Sequence, residues 1–250
     1  MDQVFLVNGY SIAEFAKIAS RIANGGDVAE VGPGLGSLTI PLSTMSKRLV
    51  AIELDRRLAL FLERLVNSCG SPNVVIVAGD GPELLESVRV SAVVSNTPYS
   101  ASSRIIAAMA RNNNVRNAVL GVQLDVARRM IAEPGSTEYG RLTLLTKRYF
   151  RAEIKMVIPK SHYYPRPKVD GAIVEMERIK PWEKGDEVFE KLTACLFAQR
   201  NKRASKAIRE CSERVLGRAV SVELGEKRVR DLDPSDIELV ISKACPAQGS

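Results

Sequence analysis

Over the first 150 residues, short apolar runs alternate with stretches of helical period. Val28-Ala29-Glu30-Val31, the run 49–54, the run 74–77, Ala92-Val93-Val94 and the run 118–122 are each brief, rich in Val and Ile, and bounded by polar residues or Gly. These are the marks of strands buried on both faces. Helical patterns fall between them, near 37–45, 56–67, 101–111 and 123–132. Ahead of the first strand, Ser11-Ile12-Ala13-Glu14 reads as a capping box. Ile12, Phe15, Ala16, Ala19 and Ile22 follow on one helix face, and Asn24-Gly25-Gly26 ends the helix. The alternation predicts a parallel sheet with helices on both sides. Two further β-runs, 154–158 and 172–176, are joined by a Pro-rich loop with no room for a helix and predict an antiparallel pair at the sheet edge. Residues 178–187 are polar and carry Pro181 and Gly185, a linker composition. Helical patterns return at 187–200, 201–216 and 234–244. The expected organisation is an α/β domain over 1–178 and a small helical domain over 187–250.

Composition narrows the chemistry. The 250 residues are 45% hydrophobic and 26% charged, ordinary for a globular chain. Their net charge of +7 suggests a polyanionic partner without specifying one. No apolar run approaches the roughly 20 residues of a membrane span, and Met1-Asp2-Gln3-Val4-Phe5 lacks the opening of a secretory leader. A cytoplasmic location is therefore expected. Four cysteines, at 69, 195, 211 and 245, form no CxxC pair, and His162 is the one histidine. This argues against a zinc site and, for a reducing compartment, against a disulfide framework. A lone histidine in a Pro-rich loop also argues against Ser-His-Asp or Cys-His catalysis. His162 and the cysteines read as structural.

The segment Glu30-Val31-Gly32-Pro33-Gly34-Leu35-Gly36 lies between a predicted strand and a predicted helix. Its glycines allow a tight turn and close approach to a ligand. Glu53 ends the next predicted strand, where a carboxylate can accept both hydroxyls of a ribose. The loop alone suits either NAD or S-adenosylmethionine, although its spacing lacks the last, helix-packing glycine of the dinucleotide fingerprint. Two features favour the sulfonium cofactor. Asp80 follows the third strand, in reach of an adenine amino group. Ser95-Asn96-Thr97-Pro98-Tyr99 ends the fourth, beside the methyl-donor position. An exocyclic adenine nitrogen is a poor nucleophile because its lone pair is delocalised. The Asn96 side-chain oxygen and a backbone carbonyl near Pro98 can accept its hydrogens and free that lone pair, while Tyr99 offers a stacking surface. The base must leave its helix to reach such a pocket.

These motifs, in this order, resemble the small-subunit ribosomal RNA adenine dimethyltransferases of the KsgA type. Gln3-Val4-Phe5-Leu6, the glycine loop, Ala51-Ile52-Glu53-Leu54-Asp55, Gly79-Asp80 and Asn96-Thr97-Pro98-Tyr99 carry the resemblance. So do the segments Pro134 to Leu142, Tyr163 to Asp170, and Phe197 to Arg203. The resemblance implies a Rossmann-like S-adenosylmethionine-dependent methyltransferase sheet with a small C-terminal all-helical domain. It implies dimethylation of N6 on two adjacent adenines near the 3′ end of small-subunit rRNA, and a role in small-subunit biogenesis. The implied cofactor contacts are Gln3, Val4, Leu6, Glu30, Gly32, Gly34, Gly36, Glu53, Asp80 and Asn96. Asn96, Pro98 and Tyr99 would hold the target amine, with Tyr163 as a second stacking aromatic. The chain departs from the family at Val4, where Asn is usual, at Thr97, at Tyr163 in place of Phe, and at Asn201 within a basic pair. The implied partner is the immature small subunit, with no metal or membrane involved and a free monomer expected. The alternatives are a large-subunit rRNA adenine methylase and a non-catalytic RNA-binding assembly or transcription factor on the same scaffold.

Seven basic residues and two acids lie between Gln199 and Arg218. Arg200, Lys202, Arg203, Lys206 and Arg209 are the candidate RNA contacts. Arg203, Lys206 and Arg209, three apart, are expected on one helix face that can track phosphates. A solvated helix face would give the same pattern.

Overall fold

A computed structural model describes residues 4–96 and 101–244. In chain order the elements are β1 (Phe5–Leu6), α1 (Gly9–Ala23), β2 (Asp27–Val31), α2 (Thr39–Ser43), β3 (Arg48–Glu53), α3 (Arg56–Ser68), β4 (Val74–Ala78), α4 (Gly81–Leu85), β5 (Ala92–Asn96), α5 (Ser102–Arg111), β6 (Asn117–Gln123), α6 (Leu124–Ile131), α7 (Arg141–Tyr149), β7 (Phe150–Ile158), β8 (Tyr163–Tyr164), β9 (Gly171–Arg178), α8 (Asp186–Phe197), α9 (Ala204–Leu216) and α10 (Pro234–Ala244). Two compact units result, one of 1–127 with 150–181 and one of 128–149 with 182–250.

The first unit is a seven-stranded sheet in the order β4-β3-β2-β5-β6-β9-β7. The five strands β4, β3, β2, β5 and β6 are parallel; β9 runs antiparallel to β6 and to β7. Central strands β2, β5 and β6 bury Val28, Ala29, Val93, Val94, Val119 and Leu120, as their unbroken apolar runs require. β4 was expected to be buried on both faces, but it is an edge strand and leaves Val75 exposed. An apolar run reports burial without saying whether a neighbour lies on each side.

The start of α1 also differs from expectation. Ser11 does not cap it: Asn8 does, its side chain accepting the Ser11 N–H at 3.0 Å. Ser11 is buried inside the first turn, with Oγ 2.8 Å from His162 Nδ1. The lone histidine thus ties α1 to the loop before β8. At the other end Asn24 (φ 23°) and Gly25 (φ 70°) turn the chain out of the helix.

The second unit packs α8, α9 and α10 around Phe189, Leu192, Leu196, Ile208, Val229, Leu232, Ile237 and Val240. Tyr139 and Leu144 belong to this core, and the Tyr139 hydroxyl donates to the Leu232 carbonyl at 2.6 Å. Segment 128–149, expected within the α/β domain, therefore packs in the helical unit, and α7 within it had no counterpart in the predicted elements. Arg148 of α7 is buried, donates to Asp186 at 2.6 Å, also pairs with Glu238, and lies 4.0 Å over the Phe189 ring. No described helix is long and apolar enough to cross a membrane.

Cys195 of α8 and Cys211 of α9 form a disulfide, with Cα atoms 5.8 Å apart. This corrects the expectation that the cysteines stay unpaired. Sequence spacing could not show it, because the pairing depends on how two helices pack. The bond closes a loop of 16 residues, and its removal should lower stability by roughly 3 kcal/mol. Thermal unfolding of the wild type with and without reductant, compared with Cys195→Ser, checks this. Reductant should lower the wild-type transition to that of the variant and leave the variant unmoved.

Candidate active site

The chain leaves β2 at Val31 and enters the glycine loop. Gly32, Gly34 and Gly36 all have positive φ, at 69°, 58° and 82°. A Cβ on Gly34 would lie 3.0 Å from the Phe5 ring, so the loop and β1 close on each other there. A Cβ on Gly36 would lie 2.9 Å from Leu65 and 3.0 Å from Leu62 of α3. Gly36 thus packs closely on α3 rather than on α2, the helix that directly follows the loop.

Glu53, at the end of β3, holds this loop. Its carboxylate accepts the Gly34 N–H at 2.9 Å and the Asp55 N–H at 3.0 Å. Beside it a cavity is lined by Val4, Phe5, Leu6, Glu30, Gly32, Gly34, Ser37, Leu38, Glu53 and Asn96. The fold therefore brings seven expected site residues together: Val4, Leu6, Glu30, Gly32, Gly34, Glu53 and Asn96. Gly36 adjoins them through α3 packing. Gln3, Pro98 and Tyr99 lie outside the described residues.

Two expected residues stand apart from that lining. Asp80 caps α4, accepting the Glu83 N–H at 3.3 Å, and both its oxygens accept from Arg104 at 3.0–3.1 Å. Its carboxylate is engaged with a cation that the sequence did not single out. Tyr163 is 6% exposed and belongs to the core of the α/β unit. A Cβ on Gly171 would lie 2.3 Å from its hydroxyl, so the ring rests against that glycine.

Gly121 adjoins the site through Asn96 and was not singled out. It pairs with Asn96 across β5 and β6. A Cβ there would lie 2.7 Å from Asn96 Oδ1 and 2.8 Å from the Phe15 ring. The signal was present as a glycine inside the apolar run 118–122, where close approach of another group is the usual reason.

Glu30 is the most perturbed group of the cavity. It is 2% exposed, and its Oε2 has no hydrogen-bond partner. Burial pushes its carboxyl up to about 8, against the Thr39 hydroxyl, which acts to lower it, and with a smaller upward push from the nearby Glu53 charge. A buried carboxyl with an unused oxygen, in a cavity it lines, is suited to a polar ligand group.

In the helical unit the basic residues divide. Arg200 donates to the Ser136 and Thr137 carbonyls at 3.2–3.3 Å. Lys202 pairs with Glu210, and Arg203 with Glu226. Arg203 is the residue before α9, with non-helical backbone (φ −55°, ψ 132°), so it does not share a helix face with Lys206 and Arg209. A bridge between Arg203 and Arg228 holds it in extended geometry. Lys206 and Arg209 lie within α9 and are exposed.

The family model described as ribosomal RNA adenine dimethylase matches residues 1–237. A probable ribosomal RNA small subunit methyltransferase A from Aeropyrum pernix is 40% identical over 201 residues, 80% of this chain and 71% of the relative. Its counterpart from Pyrococcus abyssi is 39% identical over 247 residues, 95% of this chain and 88% of the relative. A dimethyladenosine transferase structure from Plasmodium falciparum superposes with TM-score 0.76 at 23% identity, covering 94% of this chain and 95% of that one. The structure of the 23S rRNA methyltransferase ErmE superposes with TM-score 0.65 at 24% identity, covering 96% and 99%. At these identities the two structures share the fold.

The Glu30 carboxyl yields a pH prediction. Its folded value near 8 lies above the unfolded 4.5, so the unfolded chain releases this proton first. Stability of the ligand-free protein should fall as pH rises from about 5 to about 8, by at most about 5 kcal/mol. Glu30→Gln should remove that part of the slope. Melting temperatures of both proteins across this range check it, and parallel curves would show that Glu30 is ionised when folded.

Proposed function

This chain belongs to the ribosomal RNA adenine dimethylase family, and from that premise we propose that it dimethylates N6 of two adjacent adenines near the 3′ end of small-subunit rRNA, using S-adenosylmethionine. The observation that carries this reading is the convergence of Glu30, Glu53 and Asn96, from three neighbouring strands, on one cavity. The residues present fit the cofactor. Each Glu53 oxygen already accepts one backbone N–H and retains capacity for a ribose hydroxyl. The unpaired Glu30 Oε2 is available to a polar group, and the glycine loop closed by Phe5 forms a wall.

When bound, S-adenosylmethionine supplies an electrophilic methyl group on a sulfonium. The chain's part is to bring the adenine nitrogen to it with its lone pair free. Asn96, given room by Gly121, accepts one amino hydrogen, and a carbonyl at Pro98 accepts the other. Tyr99 stacks on the base, while Tyr163, buried in the α/β core, is not among the residues lining the cavity. The methylated nitrogen loses its proton readily to water, so no strong general base is needed and positioning provides most of the catalysis. A chain with one histidine, occupied by Ser11, suits that division of labour.

The substrate is read as the immature small subunit, met by a monomer in the cytoplasm during small-subunit biogenesis. Arg200, Lys202, Arg203, Lys206 and Arg209 contact RNA phosphates in this reading. Lys206 and Arg209 are exposed on α9 and can do so without giving up an internal bond.

Incubation with labelled S-adenosylmethionine and small subunits lacking the modification tests the function. Wild type should produce N6,N6-dimethyladenosine. Asn96→Ala should lower turnover roughly 10²–10³-fold, as when one transition-state hydrogen-bonding group is lost, with the fold retained. Absence of the product with wild type despite cofactor binding would overturn the reading. Separately, Lys206→Ala with Arg209→Ala should weaken RNA binding and reduce the slope of log K against log salt by about one to two. An unchanged slope would make this helix face a solvated surface.

A further inference from the structure

Tyr164 is the most exposed aromatic side chain among the described residues, at 71%, while its neighbour Tyr163 is buried. A single exposed tyrosine is ordinary, but the surroundings of this one are specific. β8 pairs antiparallel with β1, placing Tyr164 directly opposite Phe5 and Tyr163 opposite Leu6. Directly paired residues point to the same face, with Cβ atoms about 5 Å apart. Leu6 and Tyr163 turn into the core; Phe5 and Tyr164 occupy the other face. Phe5 lines the candidate cofactor cavity and touches the glycine loop. Tyr164 is therefore cross-strand neighbour to a residue that lines that cavity.

The segment is held firmly. The His162 carbonyl accepts the Val7 and Asn8 N–H groups at 2.9 and 3.3 Å. The Asp170 carboxylate accepts the Lys160 N–H at 2.9 Å. Between Pro159 and Val169 the chain carries Lys160, Arg166 and Lys168 and no acid, and Arg166 and Lys168 are exposed. An exposed ring on a pinned strand, followed by basic side chains, matches the way proteins hold single-stranded nucleic acid. The ring stacks a base while the cations meet the phosphates.

We propose that Tyr164, with Arg166 and Lys168, is a stacking platform for a nucleobase of single-stranded RNA that flanks the base being methylated. The assignment rests on the rRNA-methylase reading for the identity of the strand, and it gives the exposed ring a role distinct from that of buried Tyr163. Tyr164 acts on substrate hold, so its loss should appear in RNA affinity and KM while kcat at saturation changes little.

The test compares wild type with Tyr164→Ala, Tyr164→Leu and Tyr164→Phe, all checked for unchanged melting temperature and unchanged S-adenosylmethionine affinity. Two readouts are taken: binding of a single-stranded RNA of about 12 nucleotides with two adjacent adenines, and KM and kcat on unmodified small subunits. Tyr164→Ala should weaken binding and raise KM about 5- to 100-fold, the loss of one base–aromatic stack. Tyr164→Phe should stay near wild type, and Tyr164→Leu should fall with Ala. Equal binding by wild type and Tyr164→Ala overturns the proposal, as does Tyr164→Leu equal to Phe, which would mean a generic apolar contact. A wild type that binds the strand but does not methylate overturns the functional reading instead, and the binding series still decides Tyr164.

Discussion

The site depends on where the sheet reverses its direction of growth. β2 is paired on one side with β3 and on the other with β5, both parallel to it. Connections leaving its two neighbours therefore diverge, and a crevice opens at the carboxyl edge. Glu30 is one residue from the end of β2, Glu53 ends β3, and Asn96 ends β5. Their convergence on one cavity follows from that topology. The glycine loop follows β2, and Gly36 has to be a glycine because Leu62 and Leu65 of α3 pack directly against it.

Two carboxylates share this crevice, and their surroundings separate them. Glu53 accepts two backbone N–H groups, one on each oxygen. Glu30 is buried with an unpaired oxygen, and the Glu53 charge adds to the effect of burial. One carboxylate organises the loop; the other retains unused hydrogen-bonding capacity. The first gives the cavity its shape, and the second gives it a reason to take a polar ligand group.

Much of this was legible in the sequence because strand burial and glycine spacing are local signals. The parallel strands, the antiparallel pair at the edge and the loop–acid pairing could all be read from short windows. What could not be read depends on partners distant in sequence. Tyr139 and Leu144 look like any apolar residues after β6, and only packing assigns them to the helical core. Asp80 carries no mark of its pairing with Arg104, 24 residues on. Ser11 matches a capping box, yet Asn8 takes the cap and Ser11 turns to His162 across 151 residues. Cys195 and Cys211 are joined only because α8 and α9 lie side by side.

The same distinction decides how charge should be read. A basic stretch reports potential and says nothing of what each cation is doing. Arg200 supports the Ser136 and Thr137 carbonyls, Lys202 and Arg203 are paired with acids, and only Lys206 and Arg209 of the five lie exposed along α9. The loop at 159–169 has fewer basic residues, but it adds an exposed ring opposite a cavity-lining one. Electrostatic attraction to RNA is long-ranged and tolerant of position, whereas stacking is short-ranged and fixed in orientation. Cations spread over one unit can thus concentrate RNA without placing it. Placing one adenine against a methyl donor needs rigid contacts beside the cavity, which is where the strand pair β1–β8 is fastened.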